Sequence, residues 1–74
     1  MLNRIPDRIN SLLNLTRRLV FLNEHGRSLP TMLLFLRRHA DVLGNGFELI
    51  RRKLEDTTHT ATSLKNGFVE IILS

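Results

Sequence analysis

The chain has 74 residues, enough for one domain, and a domain of this size buries only about 60% of the surface that its unfolded chain exposes. Cysteine is absent, which excludes disulfides, thiolate catalysis and thiolate metal sites and favours a reducing compartment. The formal net charge of +4 arises from eleven basic against seven acidic residues. Nine of the eleven are arginine, whose planar fork can hold a phosphate through two hydrogen bonds.

The hydrophobic content indicates a folded, soluble protein. At 42% hydrophobic residues the chain is too apolar for a disordered tail, yet no apolar run approaches the roughly 20 residues that span a bilayer. The amino terminus also lacks the continuous apolar stretch of a secretory signal. We therefore expect no membrane span and a cytoplasmic location, with self-association compensating for a small core.

A first helix is predicted over residues 6–24. Pro6 suits the first helical turn, and Gly26, after His25, tolerates the left-handed geometry that ends helices. Between them, apolar residues recur at helical spacing. These are Ile5, Ile9, Leu12, Leu15, Leu19 and Leu22.

A long second helix is predicted over residues 29–64, with Ser28 as its cap and Pro30 in its first turn. Its basis is a seven-residue apolar repeat in alternating steps of four and three. The repeat runs through Leu29, Leu33, Leu36, Ala40, Leu43, Phe47, Ile50, Leu54, Thr57, Ala61, Leu64, Phe68 and Ile71. Gly44 and Gly46 each cost a helix about 1 kcal/mol. Because the repeat crosses them without losing step, we expect a continuous helix with at most a bend.

The remaining residues are predicted to form a short terminal helix over 67–73. The competing interpretation is a β-hairpin turning at Asn66 and Gly67, which would make a winged helix. Residues 57–62 offer no alternating apolar face, so the helix is favoured. The predicted fold is all-α, a single helical domain over residues 1–74 built as a helical hairpin with a short C-terminal helix.

One flank of the apolar repeat carries basic and hydrogen-bonding residues and no carboxylate. This column would extend from Arg37 to Lys65, about 42 Å along a helix at 1.5 Å per residue, comparable to domains that cover about 16 base pairs of duplex RNA. The alternative is an ordinary solvated face with ion pairs such as Glu48 with Arg52.

The predicted functional residues follow from the column and the repeat. The candidate RNA-binding residues are Arg37, Arg38, Asn45, Arg51, Arg52, Thr58, His59 and Lys65. The candidate dimer or hairpin packing residues are Leu33, Leu36, Ala40, Leu43 and Phe47. Phe21 and Phe35 are expected in the core, which argues against base stacking. No catalytic or metal-binding constellation occurs, so we expect neither an enzyme nor a cofactor.

Two stretches resemble a known family. Ile5-Pro6-Asp7-Arg8-Ile9, and Thr62-Ser63-Leu64 followed by Phe68-Val69-Glu70-Ile71-Ile72-Leu73, resemble the small RNA-silencing suppressors of nodaviruses. The resemblance implies an antiparallel homodimer, a four-helix bundle, that binds double-stranded RNA without reading sequence. Such a protein would shield duplex RNA from dicing and loading in the cytoplasm of a host cell, and would have host RNA-silencing proteins as further candidate partners.

The resemblance is incomplete at the residues that matter for binding. The family's key arginine lies three residues before its Thr-Ser-Leu, where this chain has His59. The basic residue ten before the same threonine is matched by Arg52. The family's Lys-Pro turn is replaced by Asn66-Gly67.

Two other functions remain open at this point. The apolar repeat could recruit an unrelated helix, making the protein a non-enzymatic coiled-coil adaptor. A basic amphipathic helix could also lie on an anionic membrane, although regularly spaced Asn and Thr gain little from lipid.

Overall fold

A computed structural model describes residues 6–56 and 58–74, which form five helices. They are α1 (Asp7–Glu24), α2 (Leu29–Arg38), α3 (Ala40–Leu43), α4 (Gly46–Glu55) and α5 (Ala61–Leu73). No strand occurs in this part of the chain, so the all-α prediction is confirmed. Asn66 and Gly67 lie inside α5, and the hairpin alternative is wrong. Ile5 and Thr57, both placed in the apolar pattern, lie outside the described residues.

The end of α1 is set by the glycine that the sequence indicates. Gly26 has φ +68°, and the Arg27 N–H donates to the Leu22 carbonyl at 3.0 Å while the Gly26 N–H donates to Asn23 at 3.2 Å. This pair of hydrogen bonds is the Schellman motif, which satisfies carbonyls at a helix end. Ser28 then caps α2 by accepting from the Thr31 N–H. A tight connection thus joins α1 to α2.

Helices α2, α3 and α4, a loop and the first turn of α5 replace the single long helix predicted over residues 29–64. The sharpest break is at Gly44, whose φ of +54° and ψ of −129° strongly favour glycine. With Asn45 at φ −64° and ψ −19°, the pair has the central dihedral angles of a type II′ turn. A second interruption at His39 separates α2 from α3. Gly44 therefore breaks the helix rather than bending it, and Gly46 is the first residue of α4.

The loop between α4 and α5 ends the helical run for a different reason. The Asp56 carboxylate accepts hydrogen bonds from the backbone N–H of Thr58 at 2.9 Å and from its hydroxyl at 2.8 Å. Such side-chain acceptors compete with helical hydrogen bonding. Thr60 then caps α5 by accepting from the Ser63 N–H at 3.1 Å. The last helix consequently begins at Ala61, earlier than predicted.

Helix α5 packs against both α1 and α4. A Cβ built on Gly67 would lie 2.7 Å from Cδ1 of Ile50 and 2.9 Å from Cδ of Lys53, and one built on Gly46 would collide with Ile71. Because residue numbers rise along α4 as they fall along α5, these two helices are antiparallel. The two glycines let their backbones approach closely.

The hydrophobic core is shared by all five helices. Its buried side chains are Leu12, Leu15, Leu19, Val20, Met32, Leu36, Leu43, Ile50, Leu54, Leu64, Phe68 and Ile71. Of the candidate packing residues, Leu36 and Leu43 are fully buried within the single chain, and Leu33, Ala40 and Phe47 are half-buried. No described helix combines the length and the hydropathy that crossing a bilayer requires.

Candidate nucleic-acid interface

The candidate RNA-binding residues do not share one helix. Arg37 and Arg38 form the last turn of α2, Asn45 lies in the turn before α4, and Lys65 belongs to α5. All four are exposed. These residues therefore do not form the straight strip expected from an uninterrupted helix, because turns in the chain separate them.

Arg51 is held by carboxylates of its own helix. Its Nε and Nη2 donate to the two carboxylate oxygens of Glu48 at 2.9 and 2.6 Å, and its Nη1 donates to Glu55 at 2.5 Å. The hydrogen bond from Arg51 lowers the pKa of Glu48, and the hydrogen bonds to Glu48 and Glu55 raise the pKa of Arg51. A phosphate that took two hydrogen bonds from the Nε–Nη2 side of this guanidinium would have to displace Glu48. Arg51, predicted to contact phosphate, is thus paired with carboxylates of α4 in this structure.

Arg52, the next residue, is differently placed. Its side chain is 77% exposed, and its one ion pair among the described residues is a long one, with Nε 3.9 Å from Glu48. An exposed pair of this length contributes little to stability. Arg52 therefore presents its guanidinium to solvent.

Thr58 and His59 serve the structure of the loop. Thr58 donates hydrogen bonds to the Asp56 carboxylate from its backbone N–H and from its hydroxyl. The hydrogen bond from the backbone N–H, and then the one from the hydroxyl, lower the pKa of Asp56. The half-buried His59 ring donates from Nδ1 to the Asp56 carbonyl at 2.9 Å, and its Nε2 pairs with Oδ1 of Asn23 at 2.8 Å. Both ring nitrogens are occupied. The His59 side chain thus fastens the loop to α1.

Six of the eight candidates are exposed: Arg37, Arg38, Asn45, Arg52, Thr58 and Lys65, of which Thr58 already donates its hydroxyl to Asp56. Helix α2 packs on α4, which brings the elements that carry Arg37, Arg38 and Arg52 into contact. Arg37 and Arg38 also lie at the carboxyl end of α2, where the helix dipole favours cations. The exposed cations of the predicted set therefore lie on helices that pack against one another, α2 on α4 and α4 on α5.

A second basic surface was missed by the sequence analysis. Arg17 and Arg18 of α1 line a groove with Phe21, Leu22 and Phe35, with a volume of about 400 Å³. The Arg18 guanidinium carbon lies 4.9 Å from the centre of the Phe35 ring, a cation–π distance. We name this cleft between α1 and α2 the α1–α2 groove.

The aromatic residues of this groove were expected in the core. Phe21 is instead 54% exposed, and Phe35 is half-buried. The signal was present in the spacing, because Phe21 follows Asn10, Asn14 and Arg17 at helical intervals and so shares their polar face. Phe21 stacks on His25 with ring centres 3.9 Å apart.

A further cavity of about 450 Å³ lies at the opposite end of α1. It is lined by Arg8, Asn45, Gly46, Leu49, Glu70, Ile71 and Ser74. Asn45, a candidate RNA contact, therefore lines the same cavity as Arg8, and both residues are exposed.

The described residues hold no group of three or more His, Asp or Glu side chains placed to bind a metal ion.

No protein-family model matches this chain, and neither does any curated protein or solved structure.

Proposed function

We propose that this protein binds double-stranded RNA without reading its sequence, through exposed basic side chains on α2, α4 and α5. The observation that carries the proposal is that the predicted RNA-binding cations differ in how accessible their charged groups are. Arg37, Arg38, Arg52 and Lys65 are exposed, whereas Arg51 is held by two carboxylates. The charged groups of these four exposed residues can therefore exchange bound water for phosphate oxygens.

The chemistry of these side chains fits a duplex backbone. Arginine forks donate two hydrogen bonds to phosphate oxygens, and neutralising phosphates releases counterions from the nucleic acid. Contacts to phosphate and sugar carry no base information, so binding of this kind is independent of sequence. The exposed amide of Asn45 can donate to a 2′-hydroxyl, the group that distinguishes RNA from DNA.

The biological role that we attach to this binding follows from the resemblance to nodavirus suppressors. A protein that covers a duplex denies it to the host's dicing enzyme and to the machinery that loads small interfering duplexes. We propose that the active form is an antiparallel homodimer of the four-helix-bundle type, in the host cytoplasm. Two copies double the net charge of +4 and so strengthen the attraction to a polyanion.

The adaptor alternative loses its main support. It required the apolar repeat to be open to a partner helix, but Leu36, Leu43 and Ile50 are fully buried within the chain. A partner could reach them only by opening the fold.

Gel-shift titrations with a duplex RNA of about 20 base pairs, its separate strands and the matching DNA test the proposal. We expect the RNA duplex to bind best, with an affinity that falls steeply as salt is raised. Equal affinity for all three nucleic acids would refute recognition of the A-form duplex.

A pair of variants tests which arginines make the contacts. Arg37→Gln with Arg38→Gln removes two accessible cations and should weaken duplex binding by about tenfold or more, with a salt slope lower by about 2. The matched control is Arg51→Gln, which removes a cation already neutralised within α4 and should weaken binding by at most about threefold. If Arg51→Gln were as damaging as the double variant, with helicity unchanged, the contact set proposed here would be wrong.

A further inference from the structure

We propose that the α1–α2 groove is a docking site for an acidic amphipathic helix of a protein partner. This activity is separate from RNA binding, because its residues lie on α1 and on the Phe35 side of α2. The residues that form the groove are Arg17, Arg18, Phe21, Leu22 and Phe35.

The groove combines an apolar floor with a cationic rim. Leu22 and Phe35 are half-buried in the floor, Phe21 is 54% exposed at the wall, and Arg17 and Arg18 are exposed. A volume of about 400 Å³ lies within the usual range of ligand pockets, about 300–1,000 Å³. Apolar anchors can therefore enter the groove while charged groups meet its rim.

Charge complementarity selects an acidic occupant. All the ion pairs found among residues 6–56 and 58–74 join Arg51 or Arg52 to Glu48 or Glu55. Arg17 and Arg18 thus lack a carboxylate partner in the described chain. A glutamate or aspartate of a partner would supply the missing charge at the edge of a water-poor surface, where such pairing gives specificity.

The same features argue against other occupants. A second copy in a two-fold interface would place the arginines of one groove near those of the other, which is repulsive. A nucleobase would stack on an open aromatic face, but Phe35 is contacted by both Arg18 and His39, and one face of Phe21 is covered by His25. A bilayer surface is too flat to fill a cleft between two helices.

The occupant is inferred to be helical because of the walls that it would meet. The groove lies between two helices, and the described chain has no strand edge that could pair with an extended peptide. A helix satisfies its own backbone hydrogen bonds and needs only side-chain anchors at successive turns. The recognised element is therefore an amphipathic helix with apolar residues at three- and four-residue spacing and carboxylates flanking them.

The probe is a fluorescein-labelled peptide of about 18 residues, long enough to form a helix, with leucine at alternating three- and four-residue steps and glutamate beside the leucine stripe. Its control carries lysine in place of each glutamate. Both are titrated with the full chain by fluorescence anisotropy. We expect saturable binding of the acidic peptide with a dissociation constant of about 10–100 μM and at least about tenfold weaker binding of the basic one.

Variants of the protein locate the site. Arg17→Glu and, separately, Phe21→Ala should each weaken binding of the acidic peptide by about tenfold. Neither side chain is buried, so circular dichroism should show unchanged helicity. The matched control for the charge reversal is Lys65→Glu on α5, which should change the affinity by less than about threefold.

The proposal is overturned if the acidic peptide fails to saturate, if the basic peptide binds equally, or if the groove variants have no more effect than Lys65→Glu. It is also overturned if Phe21→Ala leaves peptide binding intact but abolishes self-association, or if the same variant instead abolishes binding to duplex RNA or to anionic phosphatidylglycerol vesicles. Those results would assign the groove to a second copy, to nucleic acid or to lipid.

Discussion

Arg51 shows how two carboxylates can occupy the donors that a phosphate would need. Its three hydrogen bonds to Glu48 and Glu55 use both sides of the guanidinium fork. The spacing is visible in the sequence, with one glutamate three residues before the arginine and the other four after it. The ion pair expected from the sequence, Glu48 with Arg52, is present only as a long contact.

Removing these carboxylates should convert Arg51 into an RNA contact. Glu48→Gln with Glu55→Gln frees the guanidinium and removes two negative charges, so we expect duplex RNA to bind about tenfold more tightly or better. The control, Asp41→Asn with Glu70→Gln, removes two charges elsewhere and should give a smaller gain. Gel shifts at fixed salt measure both. Equal gains would mean that net charge alone, and not the release of Arg51, sets the affinity.

Asp56 makes the stability of the α4–α5 loop depend on pH. Hydrogen bonds from Thr58 lower its pKa below the ordinary value of 3.8, so the unfolded chain binds the proton more readily than the folded chain. The resulting stability is fully present above pH 3.8 and is lost as the pH falls through the lower, folded value. Glu48, also with a lowered pKa, acts in the same direction.

Thermal unfolding followed from about pH 6 to about pH 2.5 checks this dependence. Asp56→Asn should lower the melting temperature at pH 6 and should flatten its decline at acid pH, because the variant has no proton to take up. Asp41→Asn, which removes a carboxylate outside the loop, serves as the comparison. A steep acid decline that persists unchanged in Asp56→Asn would contradict the assignment.

At the scale of the helices, the apolar repeat predicted which side chains are buried better than it predicted where each helix begins and ends. Leu36, Leu43, Ile50, Leu64 and Ile71, spaced at multiples of seven, are all buried as the repeat requires. The repeat identifies the side chains that face a core, and that requirement persists when a helix stops and restarts. It therefore could not reveal that the backbone turns at Gly44.

The expectation that the basic residues form one straight strip depended on the same unbroken helix. Residues seven apart align only on one unbroken helix. Once the chain turns, the partners of each side chain are set by tertiary neighbours, as with His59 and Asn23, which are 36 residues apart. Exposure of Arg37 and Arg38, by contrast, follows locally from their place at the polar end of α2.

Helices α4 and α5 lie so close together that one added methyl group would disturb their contact. Gly46→Ala would place Cβ against the Ile71 side chain, which is buried and cannot move freely. Overpacking of this kind costs about 1–3 kcal/mol, offset by a gain of up to about 1 kcal/mol in helix propensity. We expect a net loss of unfolding free energy in urea denaturation.

A double-mutant cycle isolates that contact. Ile71→Ala removes the obstructing atoms at the cost of a cavity, and adding Gly46→Ala to it should be neutral or stabilising. A coupling energy near zero would place the effect of Gly46→Ala in the backbone rather than in the packing of α4 against α5. Asn66→Ala, on the exposed side of α5, reports the propensity change without a packing change.

Among the described residues, five large apolar side chains are exposed: Phe21, Leu29, Leu34, Val69 and Leu73. On the outer side of α5, Val69 is 49% exposed and Leu73 is 79% exposed, one turn apart. Since Leu36 and Leu43 are already covered within one chain, the proposed homodimer needs another apolar surface. If the proposed homodimer forms, we expect it to pair through this face of α5.

If two copies pair through α5, the melting temperature should rise with protein concentration, because association stabilises the folded state by mass action. Val69→Asp with Leu73→Asp should give a monomer in sedimentation equilibrium and remove that concentration dependence. Leu34→Asp, which places a charge at a half-exposed leucine of α2, should leave the mass unchanged. Because a monomer brings half as many cations to one duplex, the α5 variant should also bind RNA with a salt slope about half that of the parent chain. A parent chain that sediments as a monomer at all concentrations, or a variant that stays dimeric, would show that α5 does not mediate pairing.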